Sequence, residues 1–155
     1  MTVPTGPPDN VLLDTNVLVR LYDRGEPGKQ QQAREVLAQL AESGTGCVST
    51  QILCELHATL TGKLREQITA EEAVNQLEHH SRIWRVIQLT VSTVVQAARG
   101  ARDFRMNFWD ALIWSAARSG GVGLILSEDF SHGTSLGGVR FVNPFHPGFR
   151  VADWL

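Results

Sequence analysis

The sequence is short of several things that would have narrowed its role at once. It has only two cysteines, Cys47 and Cys54, seven apart and outside any Cys-x-x-Cys pattern, which excludes a disulfide framework and a zinc knuckle. Both read as small buried hydrophobes in a reducing, cytoplasmic setting. It has no excess of either charge: 16 acidic residues stand against 14 basic ones. No broad basic field therefore marks a nucleic-acid binder, and no acidic tract marks a disordered tail. No apolar run approaches the roughly 18 residues of a membrane span, and the opening MTVPTGPPDN has neither the basic nor the apolar region of a signal peptide. Neither the phosphate-binding GxxxxGKS/T pattern nor GxGxxG occurs, so nucleotide-cofactor chemistry has no support. Gly133-Thr134-Ser135-Leu136-Gly137 fits a nucleophile elbow in letters, but the strand-like GVRFVNPF follows where a helix is needed. That stretch reads as a loop. The five histidines, including His79-His80 and His132, show no zinc-ligand spacing.

At 155 residues with 43% hydrophobic content, the chain is long enough for one domain with a substantial core. Residues 1–9, rich in Pro and Gly, read as a flexible leader, and residues 10–155 as a single domain. Helix-like and strand-like segments alternate along it. A strand is expected over 10–14, followed by a helix that Thr15 and Asn16 cap and in which Val17, Leu18 and Leu21 lie at helical spacing. In QQQAREVLAQLAES, Ala33, Val36, Leu37, Leu40 and Ala41 form one stripe, and Gly44 and Gly46 end the helix before the strand-like CVS. A further helix starts near Thr50. Thr69 and Glu72 form a capping box that opens a helix to about Arg82, ahead of the strand-like WRVIQLT. From Ser92 the chain turns helical again. Asn107 caps FWDALIWSAARS, Gly120 and Gly121 stop it, and VGLILS and VRFVN are the last strands. Strands alternating with helices, two of them apolar throughout, imply an α/β fold with a mostly parallel sheet covered on both faces.

In such a sheet, ligands bind beyond the carboxyl ends of the strands. Asp14 ends the first strand within VLLDTNVLVRL, where an ionised carboxylate is costly unless it caps, pairs or holds a cation. Glu128 and Asp129 follow VGLILS directly, Asp110 lies in the first turn of its helix, and Glu55 lies in the helix after CVS. Taken alone, each has an ordinary explanation. Asp14 suits a turn or cap, Asp110 the helix dipole or a capping box with Asn107, Glu55 a solvated helix face, and Glu128 with Asp129 a turn.

Taken together, LLDTNVLV, STQILCELHATL, FWDALIWSAA, LILSEDFSHG and VRFVNPF, in that order, resemble the PIN-domain nucleases, particularly the VapC-type toxins of bacterial toxin–antitoxin pairs. The resemblance spans roughly residues 10–145. It implies a single three-layer α/β/α domain with an acidic pocket that binds magnesium or manganese. Asp14, Glu55, Asp110 and Asp129 match the four acidic positions, and Asn16 and Ser127 match polar positions beside them. Glu128, adjacent to Asp129, competes with it for the place that faces the cation. The resemblance further implies RNA as substrate, cut to a 5′-phosphate and a 3′-hydroxyl, a small antitoxin protein that covers the groove, and a homodimer. The alternative is a PIN fold kept for binding partners with catalysis lost, against which the presence of all four acids speaks.

The chemistry agrees with that donor set. Phosphodiester hydrolysis needs a nucleophile and neutralisation of charge on the phosphorus-bound oxygens, and hard divalent ions held by carboxylates supply both. Oxygen ligands favour magnesium or manganese over zinc. Magnesium takes only one or two carboxylates directly, so Asp14 and Asp129 are expected as nearest ligands, with Glu55 and Asp110 binding directly or through water. Two carboxylates about 4 Å apart repel by roughly 4 kcal/mol at an effective dielectric near 20, so raised pKa values are expected in the cluster. Arg99, Arg102 and Arg105 recur every third residue and form either an RNA-facing ridge or, the favoured reading, a solvated helix face. Trp109 and Trp114 have the rings to stack bases, but their helical setting favours core or subunit contacts.

Overall fold

The computed structural model describes residues 10–155, so the expected leader over 1–9 lies outside the described residues. The chain opens with a short strand, β1 (Val11–Leu13), a one-turn helix α1 (Thr15–Val19) and a long helix α2 (Pro27–Ser43), then β2 (Gly46–Ser49). Two helices, α3 (Thr50–Thr61) and α4 (Ala70–Ile83), lead to β3 (Arg85–Ile87); two more, α5 (Val91–Phe104) and α6 (Phe108–Ser119), lead to β4 (Leu124–Leu126). A hairpin of β5 (Ser135–Leu136) and β6 (Val139–Val142) and a terminal turn of helix, α7 (Val151–Trp154), complete it.

The six strands form one sheet in the order β3-β2-β1-β4-β6-β5, parallel throughout except for β5 against β6. All three residues of β1 and of β4 are buried, with Leu12 opposite Ile125 and Leu13 opposite Leu126. These are the two strands whose sequences are apolar throughout, as a sheet covered on both faces requires. From β1 the chain moves one way through β2 to β3, then crosses back to β4 on the other side of β1 and on to β6. Right-handed crossovers put the helices of the two directions on opposite faces, giving three α/β/α layers. The reversal falls between β1 and β4, so their carboxyl ends open a crevice.

Capping chemistry sets most helix starts where the sequence indicates. Ser49 caps α3 by accepting from Ile52 N, and Thr69 with Glu72 makes the reciprocal box at α4. Asn107 caps α6 through Trp109 N alone, leaving the Asp110 carboxylate out of the cap. Helix α2 begins earlier than its polar QQQ suggests, at Pro27, because proline has no N–H to leave unpaired in a first turn. Ala33, Val36, Leu37 and Leu40 are buried as expected, but Ala41 is exposed: one residue past Leu40 the helix has turned away from the sheet. Gly44 ends α2 in the left-handed region at φ 68°, whereas Gly46 belongs to β2, where a Cβ would lie 2.4 Å from the Trp84 ring. The expected loop at 133–137 contains β5, and Gly137 and Gly138, at φ 55° and 82°, make the two-residue turn of the hairpin. The element that follows Ser135 is the strand β6, not the helix a nucleophile elbow needs.

Of the two cysteines only Cys47 is buried; Cys54 lies on the outer side of α3 and is exposed. Trp114 is a core residue whose Nε1 donates to Leu136 O at 3.0 Å. His80 is buried, accepting from Trp84 Nε1 at 2.9 Å on Nδ1 and meeting the Tyr22 hydroxyl at 2.7 Å on Nε2. Among the described residues no helix is long and apolar enough to cross a membrane.

Candidate active site

At the end of β1 the chain must leave the sheet and start α1 within one residue, and Asp14 makes the change. Its backbone is extended, its N–H donates to Leu126 O of β4 at 3.0 Å, and its Oδ1 accepts from Thr15 N at 2.7 Å. Asp14 is therefore the N-cap of α1, and Thr15 and Asn16, expected in that role, are its first helical residues. Their side chains are thereby released for other work. Thr15 Oγ1 donates to Glu55 Oε2 at 2.7 Å. Asn16 Nδ2 donates to Ser127 Oγ at 3.1 Å, and its Oδ1 accepts from Glu128 N at 3.2 Å, tying α1 to the loop after β4.

Ser127 is the hub of that crossing. It is buried, donates to Asp14 Oδ2 at 2.6 Å, and accepts from Asn16 Nδ2 and, at 3.1 Å, from Asp129 N. Asp14 is 4% exposed and accepts from a hydroxyl, a backbone N–H and, at 3.4 Å, Asn16 Nδ2. Burial nevertheless pushes its carboxyl up to about 7; the bonds from Ser127 and Thr15 pull it down, and the charges of Glu55 and Asp129 push it up further. Asp110 is also raised, by burial first and then by Asp129 and Glu55. The mutual repulsion expected of the cluster is present, but desolvation is the larger cause.

The remaining acids reach the same place from other elements. Glu55, in the second turn of α3, is held by Thr15 and by Gln51 Nε2, which donates to Oε1 at 2.9 Å and also to Trp109 O at 3.1 Å. Asp110 in the first turn of α6 and Asp129 after β4 have carboxylates that accept no hydrogen bond among the described residues. All four line one open cleft of about 520 Å³ at the β1/β4 crevice. As the side chains stand, no three His, Cys, Asp or Glu groups among the described residues converge closely enough to enclose a metal ion. The acids share a cleft and a field, and the ligand shell is not closed.

Glu128 turns the other way. Arg20 grips it with Nε on Oε1 at 3.1 Å and a terminal nitrogen on Oε2 at 2.8 Å, and Lys29 approaches Oε1 at 3.1 Å. Burial raises its carboxyl, but Arg20 and Lys29 outweigh that and leave it lowered. Arg20 also pairs with Asp23 and Glu26, so its charge is spent within the protein. Lys63, exposed at the rim of the cleft, has no ion pair among the described residues.

Thr15 as a clamp on Glu55, Gln51 as its second clamp, and Lys63 were missed by sequence reasoning. Only Gln51 left a signal, its position four residues before Glu55 on the same helix face. Trp109 is 60% exposed at the cleft, unlike the buried Trp114. Arg99 and Arg102 are exposed on α5, Arg102 donating to Asp103 at 2.7 Å, while Arg105 caps the helix at φ 55° and breaks the ridge. None of the three lines the acidic cleft. His132 accepts from Asn143 N at 3.1 Å and stacks on His146 with ring centres 4.3 Å apart.

Comparison with known proteins bears on the fold and the family. No curated protein sequence matches the chain. A toxin–antitoxin complex from Klebsiella pneumoniae superposes with TM-score 0.65 at 16% identity, covering 88% of this chain and 98% of that one. The Mycobacterium tuberculosis toxin VapC20, described as cleaving the sarcin–ricin loop, gives 0.64 at 22% identity over 84% and 99%. DNA-bound VapBC from Salmonella typhimurium gives 0.63 at 18% identity over 87% and 98%. These likenesses establish the fold, and the family model for the PIN domain matches residues 11–132, which contain every acid of the cleft: the chain belongs to the PIN domain family.

Proposed function

We propose that the chain is a magnesium- or manganese-dependent endoribonuclease, the toxin of a toxin–antitoxin pair, with residues 10–155 as the nuclease unit. The observation that carries this reading is the cleft itself: four carboxylates from four separate elements, at the topological switch point, with one of them buried and held near pKa 7. Nothing in the packing of the core calls for four acids in one place. The donor set fits a hard divalent cation, all oxygen and all carboxylate. A cation is also what would return Asp14 to its ionised form.

Asp14, Glu55, Asp110 and Asp129 would hold the ion. When bound, it supplies charge neutralisation at the phosphate and a reactive water. The chain's own residues do the positioning. Ser127 and the Thr15 N–H fix both oxygens of Asp14, while Thr15 and Gln51 fix both oxygens of Glu55. Asp110 and Asp129 are unencumbered and can swing toward an ion that the fixed pair has located. Lys63 stands where it can meet a substrate phosphate. The 2′-hydroxyl takes no part in such a hydrolysis, so products with a 5′-phosphate and a 3′-hydroxyl are expected and RNA selectivity lies in the groove.

Similarity to toxin–antitoxin complexes supports an antitoxin protein as partner; a homodimer and a cytoplasmic setting belong to the same reading. The competing reading, a binding module without catalysis, is disfavoured by the intact acid set. The test is cleavage of a structured RNA pool with magnesium or manganese, with EDTA, and with Asp129→Asn. Metal-dependent cutting lost at least a thousandfold in the variant is expected; equal cutting in EDTA or by the variant rejects the proposal.

A further inference from the structure

Asp110 and Asp129 also line a second cavity, of about 330 Å³, that Asp14 and Glu55 do not reach. Its apolar wall is Met106, Phe130, Leu136 and Phe141, with the Phe130 and Phe141 rings stacked at 4.2 Å and 23°. Its rim is polar and underused. The hydroxyls of Ser131 and Ser135 make no hydrogen bond among the described residues, and Asn107 spends only its side-chain oxygen, on Trp109 N. The two clefts therefore adjoin at Asp110 and Asp129.

We propose that this second cavity is a nucleoside subsite, taking one splayed base of the RNA strand next to the phosphate held at the four acids. The inference rests on the nuclease reading above and adds to it where base selectivity is set. Three observations carry it. The volume sits near the lower end of small-ligand sites, about 300 Å³, enough for one nucleoside and little more. An aromatic wall with unspent hydroxyl and amide groups at its edge is what single-stranded base recognition uses. Among the described residues no cationic side chain lines the cavity, so nothing there holds a phosphate and an uncharged base is the part of the strand that suits it. The outer wall, Ser135 and Leu136 on β5, is held by the hairpin with β6, so it is a fixed surface able to discriminate among bases.

The test uses uncharged nucleosides, so that carboxylate repulsion of phosphate does not mask binding. Adenosine, guanosine, cytidine and uridine are titrated separately into the metal-free protein and followed by amide chemical shifts. Shifts at Ser131, Thr134 and Ser135 are expected for at least one nucleoside at millimolar concentration, lost in Ser135→Trp and again in Ser131→Tyr, with unchanged melting temperatures showing that each variant folds. In a second arm, one abasic ribonucleotide is walked across a cleaved RNA. Wild type should lose at least tenfold in kcat/KM at one position beside the cut, and Ser135→Trp should erase that dependence. Cleavage by wild type with no nucleoside shift and a flat abasic profile overturns the subsite and leaves the nuclease reading intact. Nucleoside shifts without any metal-dependent cleavage overturn the nuclease reading instead.

Discussion

Replacing Asp14 by asparagine tests the electrostatics of the cleft without reference to catalysis. The Asp14 carboxyl has a pKa of about 7 in the fold against 3.8 free. A folded pKa raised above the unfolded one means that its stabilising contribution is complete below the unfolded value and is lost as pH rises through the folded value. The difference of about three units corresponds to about 4 kcal/mol of stability lost between pH 4 and pH 8. The amide introduced by Asp14→Asn would carry no such dependence, yet it would not be free of cost. One side of Asp14 accepts from Thr15 N and the other from Ser127 Oγ, so an amide NH₂ must face one donor or crowd a serine oxygen that already accepts from Asn16 and Asp129. That mismatch costs about 1–3 kcal/mol. The variant is therefore expected to be less stable than wild type at pH 4 and as stable or more stable at pH 8, so the two curves converge or cross. Urea unfolding in EDTA at steps between the two pH values measures this. At roughly 2–4 °C per kcal/mol for a chain of this size, the difference in Tm between the proteins should swing by about 8–16 °C. Magnesium at pH 8 should raise the Tm of wild type more than that of the variant. Parallel pH curves for the two proteins, with equal response to magnesium, would refute the reasoning.

Glu128 and Asp129 should separate cleanly. Glu128→Ala takes the two-pronged partner from Arg20, which keeps Asp23 and Glu26, and leaves the partly exposed Lys29 with Glu26, so it is expected to lower stability by about 1 kcal/mol in urea unfolding, whereas Asp129→Asn should change stability little while reducing cleavage at least a hundredfold more than Glu128→Ala does; the reverse pattern would mean that the wrong acid has been placed toward the ion. His80 has its Nδ1 fixed as an acceptor by Trp84 Nε1, so the neutral ring must carry its proton on Nε2. Burial first, and His79 second, lower its pKa to about 4. Nitrogen-resolved NMR should show the Nε2–H form down to about pH 4; because the unfolded imidazole binds its proton near 6.5, this residue should cost the fold stability as pH falls from about 6.5 to 4, up to about 3 kcal/mol. A ring that titrates near 6.5 would contradict the Tyr22–His80–Trp84 arrangement.

The alternation of elements, the caps at Thr69 and Asn107, the two all-apolar central strands and the four acids as a candidate set are all legible along the chain. Those features are local: a cap needs only its own turn, and an apolar run declares burial without saying against what. Which side chains meet is settled only once the chain is folded. Asp14 became the cap of α1 because β1 ends one residue before it, and that freed Thr15 to reach Glu55, 40 residues away. Glu128 was drawn off by Arg20, 108 residues distant, an ion pair that no window of neighbouring residues displays. The acidic cleft arose where β1 and β4 come together across a sheet order that reverses between them, and the second cavity lies beyond it, between the start of α6 and the β5–β6 hairpin. Hydrogen bonds and charge interactions act through space over a few ångströms, so their partners are set by where the chain returns and not by how its letters are spaced.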